Sequence, residues 1–539
     1  MKAIREYIQD NLLALITYDP TAPLLFTSEV FLWLFITFLS IYILLGKIQN
    51  LRIMYVVAFS YFFYYKSSGY FFVLLVISTL IDFALGKLIY KTEHPTTRKA
   101  LLFASVFSNL GMLAYFKYTN FFIDSLNSIS LFTLPQADIF LPIGISFFTF
   151  QTMSYTIDIY RKKLVPVQSL MDFAFFVSFF PQLVAGPIVR ASEFLPQISK
   201  RLHITTEDIG KAILLICGGL FKKAVISDYI GINYVDRVFD NPALYSGFEN
   251  LIATYGYAMQ IYCDFSGYSD IAIGLGLLMG FRLPLNFLKP YQARSLQDFW
   301  RRWHISLSTW LRDYLYISLG GNRKGLVFTY RNLFITMLLG GLWHGSNWKF
   351  VIWGGLHGLG LAVERMISHI RAYMRLKVPD LDNHIIDNYL ESRSFVKRSL
   401  GSLYARAGAF YWNTRNGLDP ALKFFKLPFS HIFTFHFVCL CWIYFRADSF
   451  QTANLMIEQI RNMSFDMNFG EVFSAYKNVY MMIALGYLIH FIPVNWQGGL
   501  ERRFTQAPLV FKSLALAGIF WLVFQIRSAD IQPFIYFQF

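Results

Sequence analysis

The chain has 539 residues, of which 55% are hydrophobic and only 15% are charged. Soluble globular proteins carry roughly a quarter of their residues as charged side chains, so this composition excludes an ordinary soluble domain. The aromatic share of 19% is typical of proteins with many helix ends at the lipid–water interface. The composition therefore predicts a polytopic integral membrane protein.

The net charge is +15, from 48 basic and 33 acidic residues. In a soluble chain this excess would suggest nucleic acid, but no nucleic-acid-binding motif is present, and membrane proteins collect basic residues on cytoplasmic loops. We therefore expect no nucleic-acid partner. The cysteines Cys217, Cys263, Cys439 and Cys441 lie in apolar stretches without a CxxC pair, so we expect reduced packing residues and no metal site.

Apolar runs that can cross a bilayer as helices recur along the chain, beginning with 28–46, 70–86 and 100–116. Together with later runs they predict an all-α fold of roughly 11–13 membrane segments, some re-entrant or interfacial. Basic clusters separate the first runs at intervals that fit out-and-back hairpins. Assigned to the cytoplasm, these clusters place the N-terminus on the extracytoplasmic side.

Five segments follow from this layout. The central one is polar and aromatic at once and carries the candidate chemistry. In chain order they are an N-terminal interfacial segment (1–27), N-terminal membrane helices (28–281), a catalytic core with an interfacial helix and a re-entrant hairpin (282–364), a basic cytoplasmic loop (365–430), and C-terminal membrane helices (431–539).

The stretch 255–281 carries Asp264 and Asp270 inside an apolar run. A buried carboxylate needs a partner, so we expect structural ion pairs, one of them with an arginine of the 298–316 stretch. Gly274, Gly276 and Gly280 have no preceding strand, which favours close helix packing over dinucleotide binding.

The stretch 298–316, DFWRRWHISLSTWLRDYLY, laid on a helix, has a broad aromatic face, several arginines and His304. A helix of this kind is typical of the cytoplasmic interface or of a segment beside a polar cavity. The arginines alone fit an interfacial anchor equally well. His304 is a stronger functional candidate, because placing an ionisable side chain inside the membrane costs free energy.

Residues 328–365 form two apolar arms broken by GLWHGSNW, with basic residues at both outer ends. Each arm has about 15–16 residues, or ~24 Å, which is short of a ~30 Å hydrocarbon core. The arms therefore predict a hairpin that turns inside the membrane, with His344 at the turn between Gly341 and Gly345. An imidazole there can act as a general base, although a histidine satisfied by the backbone is the structural alternative. For His357 and His490, on regular apolar helices, we expect the structural role.

Several of these segments resemble the membrane-bound O-acyltransferase family, and most closely its bacterial alginate O-acetyltransferase branch. The two long motifs that carry a histidine each occur in the family's order, and this combination is specific. The similar segments are FPQLVAGPIVR (180–190), YCDFSGYSDIAIGLGLLMGF (262–281), SLQDFWRRWHISLSTWLRDYLYISLGGNR (295–323), LLGGLWHGSNW (338–348), WIYFRADSF (442–450) and the C-terminal FIYFQF.

The resemblance implies a ring of tilted helices around a central funnel in a bacterial inner membrane. It implies that His344 is the catalytic histidine, that His304 is the branch's second histidine, and that Arg301, Arg302 and Trp303 contact the donor. No tightly bound cofactor is implied, because the donor, acetyl-CoA or another acyl thioester, is a substrate. The implied partners are membrane lipid, an extracytoplasmic SGNH-type acetyltransferase with its polysaccharide machinery, and an acyl carrier protein if the donor is carrier-bound.

Three alternatives stay open at this point. The branch that transfers D-alanine to teichoic acid shares much of the architecture and uses a carrier-protein thioester. A lipid-linked sugar transporter or flippase would use intramembrane charges as a translocation path, but the sequence has no inverted repeats. A scaffold subunit that only recruits a partner enzyme would tolerate loss of His344.

Overall fold

The computed structural model describes residues 16–20, 23–129, 133–184, 186–200, 203–377, 419–464, 469–526 and 534–535. Those residues form helices and connecting segments, with no β-strand among them. The helices of eight residues or more are α1 (Glu29–Leu44), α2 (Gln49–Ser68), α3 (Phe72–Lys91), α4 (Pro95–Leu113), α5 (Thr119–Asn127), α6 (Ile145–Tyr160), α7 (Leu170–Ser178), α8 (Ala191–Ile198), α9 (Thr206–Leu220), α10 (Gly247–Leu278), α11 (Leu326–His344), α12 (Trp348–Lys377), α13 (Asp419–Arg446), α14 (Phe450–Arg461), α15 (Phe469–Phe491), α16 (Val494–Gln506) and α17 (Leu509–Ile526).

Seven stretches of the described chain are long and apolar enough to cross a membrane. They are Glu29–Lys47, Gln49–Lys91, Pro95–Asn127, Leu326–His344, Trp348–Ile370, Gly470–Phe491 and Leu509–Ile526. The predicted class, an all-α polytopic membrane protein, is thereby confirmed. The predicted count of segments is higher because it includes helices such as α6 and α10, which are buried among other helices and carry polar side chains.

The long helix α10 runs through the buried part of the protein for 32 residues. Its start is set by a capping box, in which the Ser246 hydroxyl accepts from the Glu249 backbone N–H and the Glu249 carboxylate accepts from Ser246. Small residues on α10 allow α9 to pack closely against it. A Cβ on Gly274 would lie 2.7 Å from the Ile216 side chain. The expected role of this glycine in close helix packing is confirmed.

Asp264 and Asp270 of α10 form ion pairs, but not with the predicted arginines. Asp264 lies 2.6 Å from Lys223, and Asp270 pairs with Lys222. Both lysines belong to the π-helical turn Phe221–Ser227, which follows α9 directly. The expected structural pairing is confirmed, and the predicted arginine partner is wrong because α9 packs along α10 and brings its own cations.

The stretch 298–316 is not one helix. It forms a short helix Leu296–Trp300, a break at His304, a second helix Ile305–Trp310 and a π-helix Leu311–Tyr316. The segment around residue 286 causes the break, because the Ile305 N–H donates to the Asn286 carbonyl and the Leu288 N–H donates to the Arg302 carbonyl. These long-range backbone bonds replace the helical ones that a continuous helix would have.

The two arms of the hairpin around His344 are longer than the sequence predicts. α11 has 19 residues, and the apolar part of α12 has 23, so both are long enough to cross a membrane. Both helices continue into polar residues at their outer ends, which an apolar-run count leaves out. Arm length therefore gives no support to a turn inside the membrane, and the depth of that turn stays a prediction.

Most of the predicted basic loop 365–430 and most of the N-terminal segment 1–27 lie outside the described residues.

Candidate active site

His304 and His344, which are 40 residues apart in sequence, meet inside the protein. Their ring centroids are 6.4 Å apart, and the side chains are 0% and 2% exposed. His304 lies at the break between two short helices, while His344 is the last residue of α11. The two histidines that the sequence singles out therefore form one site.

Aromatic rings enclose His344. Trp353 lies edge-on at 5.0 Å and Phe445 at 5.7 Å between ring centroids. The turn after α11 is tight because a Cβ on Gly345 would lie 2.0 Å from the Phe350 ring. A Cβ on Gly341 would lie 2.2 Å from the Phe350 carbonyl oxygen. The glycines around His344 thus allow a close approach of neighbouring backbone and ring, as their sequence context predicts.

The position of His304 is set by its backbone conformation and by a hydrogen bond to Asn286. Its φ of +42° is left-handed, which is uncommon for a residue with a Cβ. Its Nδ1 lies 3.1 Å from Oδ1 of Asn286, and the same oxygen accepts from the Ser306 hydroxyl. With Nδ1–H as donor, the Nε2 atom of His304 carries the lone pair. His304 lies outside the candidate spans, and burial lowers its pKa to about 3, so the imidazole is neutral.

Lys117 is part of this site, although no sequence motif predicts it. Its Nζ donates to the carbonyl oxygens of Trp343 and His344, at 2.8 and 3.1 Å. These are the last carbonyls of α11, which have no acceptor role inside the helix, and an ammonium there also complements the negative end of the helix dipole. The one available signal was a lysine inside an otherwise apolar run.

A small cavity of about 70 Å³ opens beside His344 and Lys117. Its other wall is the start of α6, including Gly144 and Ser146. On the far side of Trp343 the wall is closed by stacked rings, with Phe150 and Trp310 at 3.9 Å between centroids and Phe150 and Trp343 at 5.4 Å. The cavity therefore brings a small open space to the residue His344.

The three residues predicted to contact the donor have different surroundings. Trp303 is fully buried against Phe287, and Arg302 forms an ion pair with Asp298 at 2.8 Å. Arg301 is exposed to solvent. The structure thus brings neither arginine into the buried histidine pair, and of the three only Arg301 is fully accessible to a ligand from solution.

His357 and His490 have structural surroundings, as expected. The His357 Nδ1 accepts from the Trp300 indole N–H at 3.3 Å, and the His490 Nε2 accepts from the Tyr291 backbone N–H at 3.2 Å. Both side chains are buried. Each holds a neighbouring segment in place.

Comparison with known protein families identifies the family of this chain. Residues 34–389 match the model of MBOAT, the membrane-bound O-acyltransferase family. The match covers more than half of the chain. This protein belongs to the membrane-bound O-acyltransferase family. The predicted resemblance is confirmed, and the protein is an O-acyltransferase.

Three curated relatives show how far the similarity extends. A probable alginate O-acetylase of Pseudomonas putida is 44% identical over 355 residues, covering 64% of this chain and 71% of the relative. A peptidoglycan O-acetyltransferase of Helicobacter pylori is 36% identical over 388 residues, covering 66% and 73%. A teichoic acid D-alanyltransferase of Streptococcus thermophilus is 31% identical over 237 residues, covering 41% and 56%.

In this O-acyltransferase the C-terminus also reaches the site. The Ile535 backbone N–H donates to Asp264 at 2.9 Å, and the Phe534 ring packs on Phe265 at 5.3 Å. Phe265 in turn lies 4.6 Å from the ring of His304. Phe534 and Ile535 therefore form part of the wall behind the second histidine.

Proposed function

We propose that this protein transfers an acetyl group from a cytoplasmic acyl thioester to a hydroxyl of an extracytoplasmic polysaccharide, with His344 as the general base. The observation that carries the proposal is the buried pair of His304 and His344 beside a small cavity that reaches His344. The similarity to an alginate and a peptidoglycan O-acetyltransferase supports the acyl group and the class of acceptor.

The chemistry needs one proton acceptor at the acceptor hydroxyl. The imidazole of His344 takes the hydroxyl proton as the oxygen attacks the thioester carbonyl. The C–S bond then breaks, the leaving thiolate takes the proton back from the imidazolium, and the products are an ester and a free thiol. Exclusion of water by Trp353 and Phe445 protects the thioester from hydrolysis.

His304 acts beside this step as a positioning group. Its Nδ1 lies 3.1 Å from Oδ1 of Asn286, which holds the ring in place, and from there His304 orients the donor or stabilises the developing oxyanion. Positioning of the two reactants in a dry site supplies much of the remaining rate.

The small volume of the cavity favours a small acyl group. At about 70 Å³ it has room for a few waters or a group of two or three carbons, not for a long chain. We propose that it receives the acyl group during transfer, in a bacterial inner membrane with the start of α6 facing outward. The acceptor is presented, or the acyl group carried on, by an extracytoplasmic partner of the SGNH type.

A second candidate is transfer of D-alanine from a carrier-protein thioester to teichoic acid. The similarity to a teichoic acid D-alanyltransferase favours it, although that similarity covers 41% of this chain. A D-alanyl group is also small enough for the cavity beside His344. Membership of an acyltransferase family argues against the transporter hypothesis and the scaffold hypothesis.

The proposal is tested by release of thiol and labelled acetate from acetyl-CoA, with purified protein in liposomes and an oligosaccharide acceptor. His344→Ala is expected to reduce turnover about 10²–10⁴-fold, as for loss of a general base, and His304→Ala by less. The matched control is His369→Ala, because His369 is exposed on α12 and its ring bonds to the Tyr330 hydroxyl at 3.3 Å.

The same assay separates the candidates. Turnover of acetyl-CoA that depends on His344 supports the proposal. Turnover of only a D-alanyl carrier-protein thioester selects the second candidate and overturns the first. Unchanged turnover in His344→Ala would overturn the role of His344 as base.

A further inference from the structure

A second, larger cavity lies on the other side of Trp343 from the small one. It is a cleft of about 520 Å³ between α4, α6, α11 and the π-helix Leu311–Tyr316. Its wall is almost entirely apolar, and its volume falls within the ~300–1,000 Å³ range of small-molecule sites. The proposed acyl transfer does not use it.

The cleft opens toward the outside of two membrane-spanning helices. Leu110 of α4 and Leu339 of α11 line it and are 41% and 40% exposed. Both helices belong to stretches that are apolar and long enough to cross a membrane, so an opening between them faces lipid. What enters the cleft therefore comes from the bilayer.

One end of the cleft carries positive charge. Tyr160 and Tyr314 line that end, and guanidinium groups lie over both rings, Arg98 at 5.3 Å and Arg161 at 5.4 Å. Arg161 itself lines the cleft, and the exposed Lys162 follows it.

Among the described residues neither arginine forms an ion pair with a carboxylate, and the Asp158 carboxylate at this end accepts from the Tyr314 hydroxyl at 2.7 Å. Arg161 donates to the Asp313 backbone carbonyl and to the Ser318 hydroxyl, both at 2.9 Å. Arg98 donates to two backbone carbonyls. The nearby carboxylate of Asp313 is paired with Arg190 at 2.7 Å and with Arg312 at 2.6 Å. Although burial raises it, hydrogen bonds from these two arginines hold the pKa of Asp313 below its usual value, so it stays ionised and bound to them.

We infer that the cleft is a binding site for a phospholipid with an anionic headgroup. The acyl chains lie along the apolar wall, and the headgroup phosphate lies at Arg161. Charge complementarity selects this occupant, because an apolar channel that faces lipid ends at two arginines with no ion pair in the described part of the chain, and such a channel matches an amphiphile with an anionic head. The bound lipid packs against Trp343, the residue before His344.

The test measures lipid directly, without an acyl donor, so its failure is distinct from failure of the acyltransferase proposal. Protein purified from membranes that contain phosphatidylglycerol is analysed by native mass spectrometry for retained lipid. Val106→Trp fills the cleft, and Phe107→Trp is the matched control because Phe107 is 67% exposed on the outer face of the same helix.

Wild type and Phe107→Trp are expected to retain phosphatidylglycerol, and Val106→Trp is expected to lose it. Equal retention in both variants would overturn the inference. Equally strong retention of phosphatidylcholine and phosphatidylglycerol would also overturn it, since the arginines would then not distinguish an anionic headgroup from a zwitterionic one.

A milder variant covers the case in which the tryptophan prevents folding. Arg161→Gln keeps the apolar wall and removes one charge, which should weaken phosphatidylglycerol binding roughly fivefold. Added phosphatidylglycerol should also raise the melting temperature of wild type more than that of Arg161→Gln. If a long-chain acyl-CoA competes for the cleft while added phosphatidylglycerol leaves both melting temperatures unchanged, the cleft holds a donor chain and the inference is overturned.

Discussion

At the scale of single residues, the site depends on ionisable groups whose neighbours are supplied by distant segments. His344 follows from its motif, but its setting does not. Lys117, 227 residues earlier, binds the two carbonyls at the end of its helix, and Asn286 sets the tautomer of His304. Sequence motifs mark the histidines, whereas the residues that orient them belong to no motif, although Lys117 lies inside an apolar run.

Lys117→Met is expected to lower kcat about 10–100-fold with little change in KM for the donor. The variant leaves the carbonyls of Trp343 and His344 buried without a donor, and small misplacement of a catalytic group has effects of this size. Steady-state kinetics with acetyl-CoA measure both constants. Lys211→Met, on a half-exposed lysine, is the control.

Lys117→Arg should recover part of kcat, because arginine also donates to carbonyls. A merely structural role would instead lower the melting temperature and the active fraction while leaving kcat per active site unchanged. That outcome would contradict a positioning role for Lys117.

At the scale of elements, the hairpin of α11 and α12 holds His344 because glycines let the two helices touch. A Cβ on Gly354 would lie 2.4 Å from the Met337 carbonyl oxygen and 3.0 Å from the Cα of Gly341. The next residue, Gly355, is different, since its Cβ would meet only the Phe334 ring at 4.0 Å. Gly354 therefore lies on the face of α12 that packs against α11, and Gly355 lies on a face with room for a side chain.

Gly354→Ala is expected to destabilise the protein by about 1–3 kcal/mol through overpacking. Gly355→Ala should be neutral or slightly stabilising, because alanine favours a helix and finds room there. Thermal unfolding in detergent compares the two with wild type. Equal melting temperatures for both variants would contradict close packing of these helices around Gly354.

At the scale of the whole molecule, one buried ionic cluster joins three distant parts of the chain. Lys223 lies 2.7 Å from Asp228 and 2.6 Å from Asp264, and Asp264 also accepts from the Ile535 backbone N–H. The C-terminus, the turn after α9 and the central helix α10 therefore meet at one carboxylate. Through Phe265 this junction lies directly behind His304.

Lys223→Met is expected to destabilise the fold by about 3–5 kcal/mol, because it leaves buried carboxylates without their cation. The exposed pair of Lys211 and Glu501 is the matched control, since its side chains are 52% and 42% exposed. Lys211→Met should change stability by less than about 1 kcal/mol. Similar losses in both variants, measured by thermal unfolding, would contradict a special role for the buried cluster.

The sequence by itself determined the class of this protein, its family and the two histidines. Composition and apolar runs report directly on the bilayer as solvent, and specific motifs carry a family's signature. It misjudged 298–316 as one helix and assigned an arginine to Asp264 or Asp270. Both errors concern segments that lie side by side in the fold. Backbone hydrogen bonds from residues 286–288 break the helix predicted over 298–316. The turn after α9 supplies the lysines that pair with Asp264 and Asp270.

Only the tertiary structure decided how the histidines meet, because a pair at 6.4 Å from positions 40 residues apart is set by packing and by no local pattern. The same is true of Lys117 and of the lipid-facing cleft, whose walls come from four separate elements. Local propensity and hydropathy act over a few residues. The geometry of the site is a property of long-range contacts, which a single sequence does not specify pair by pair.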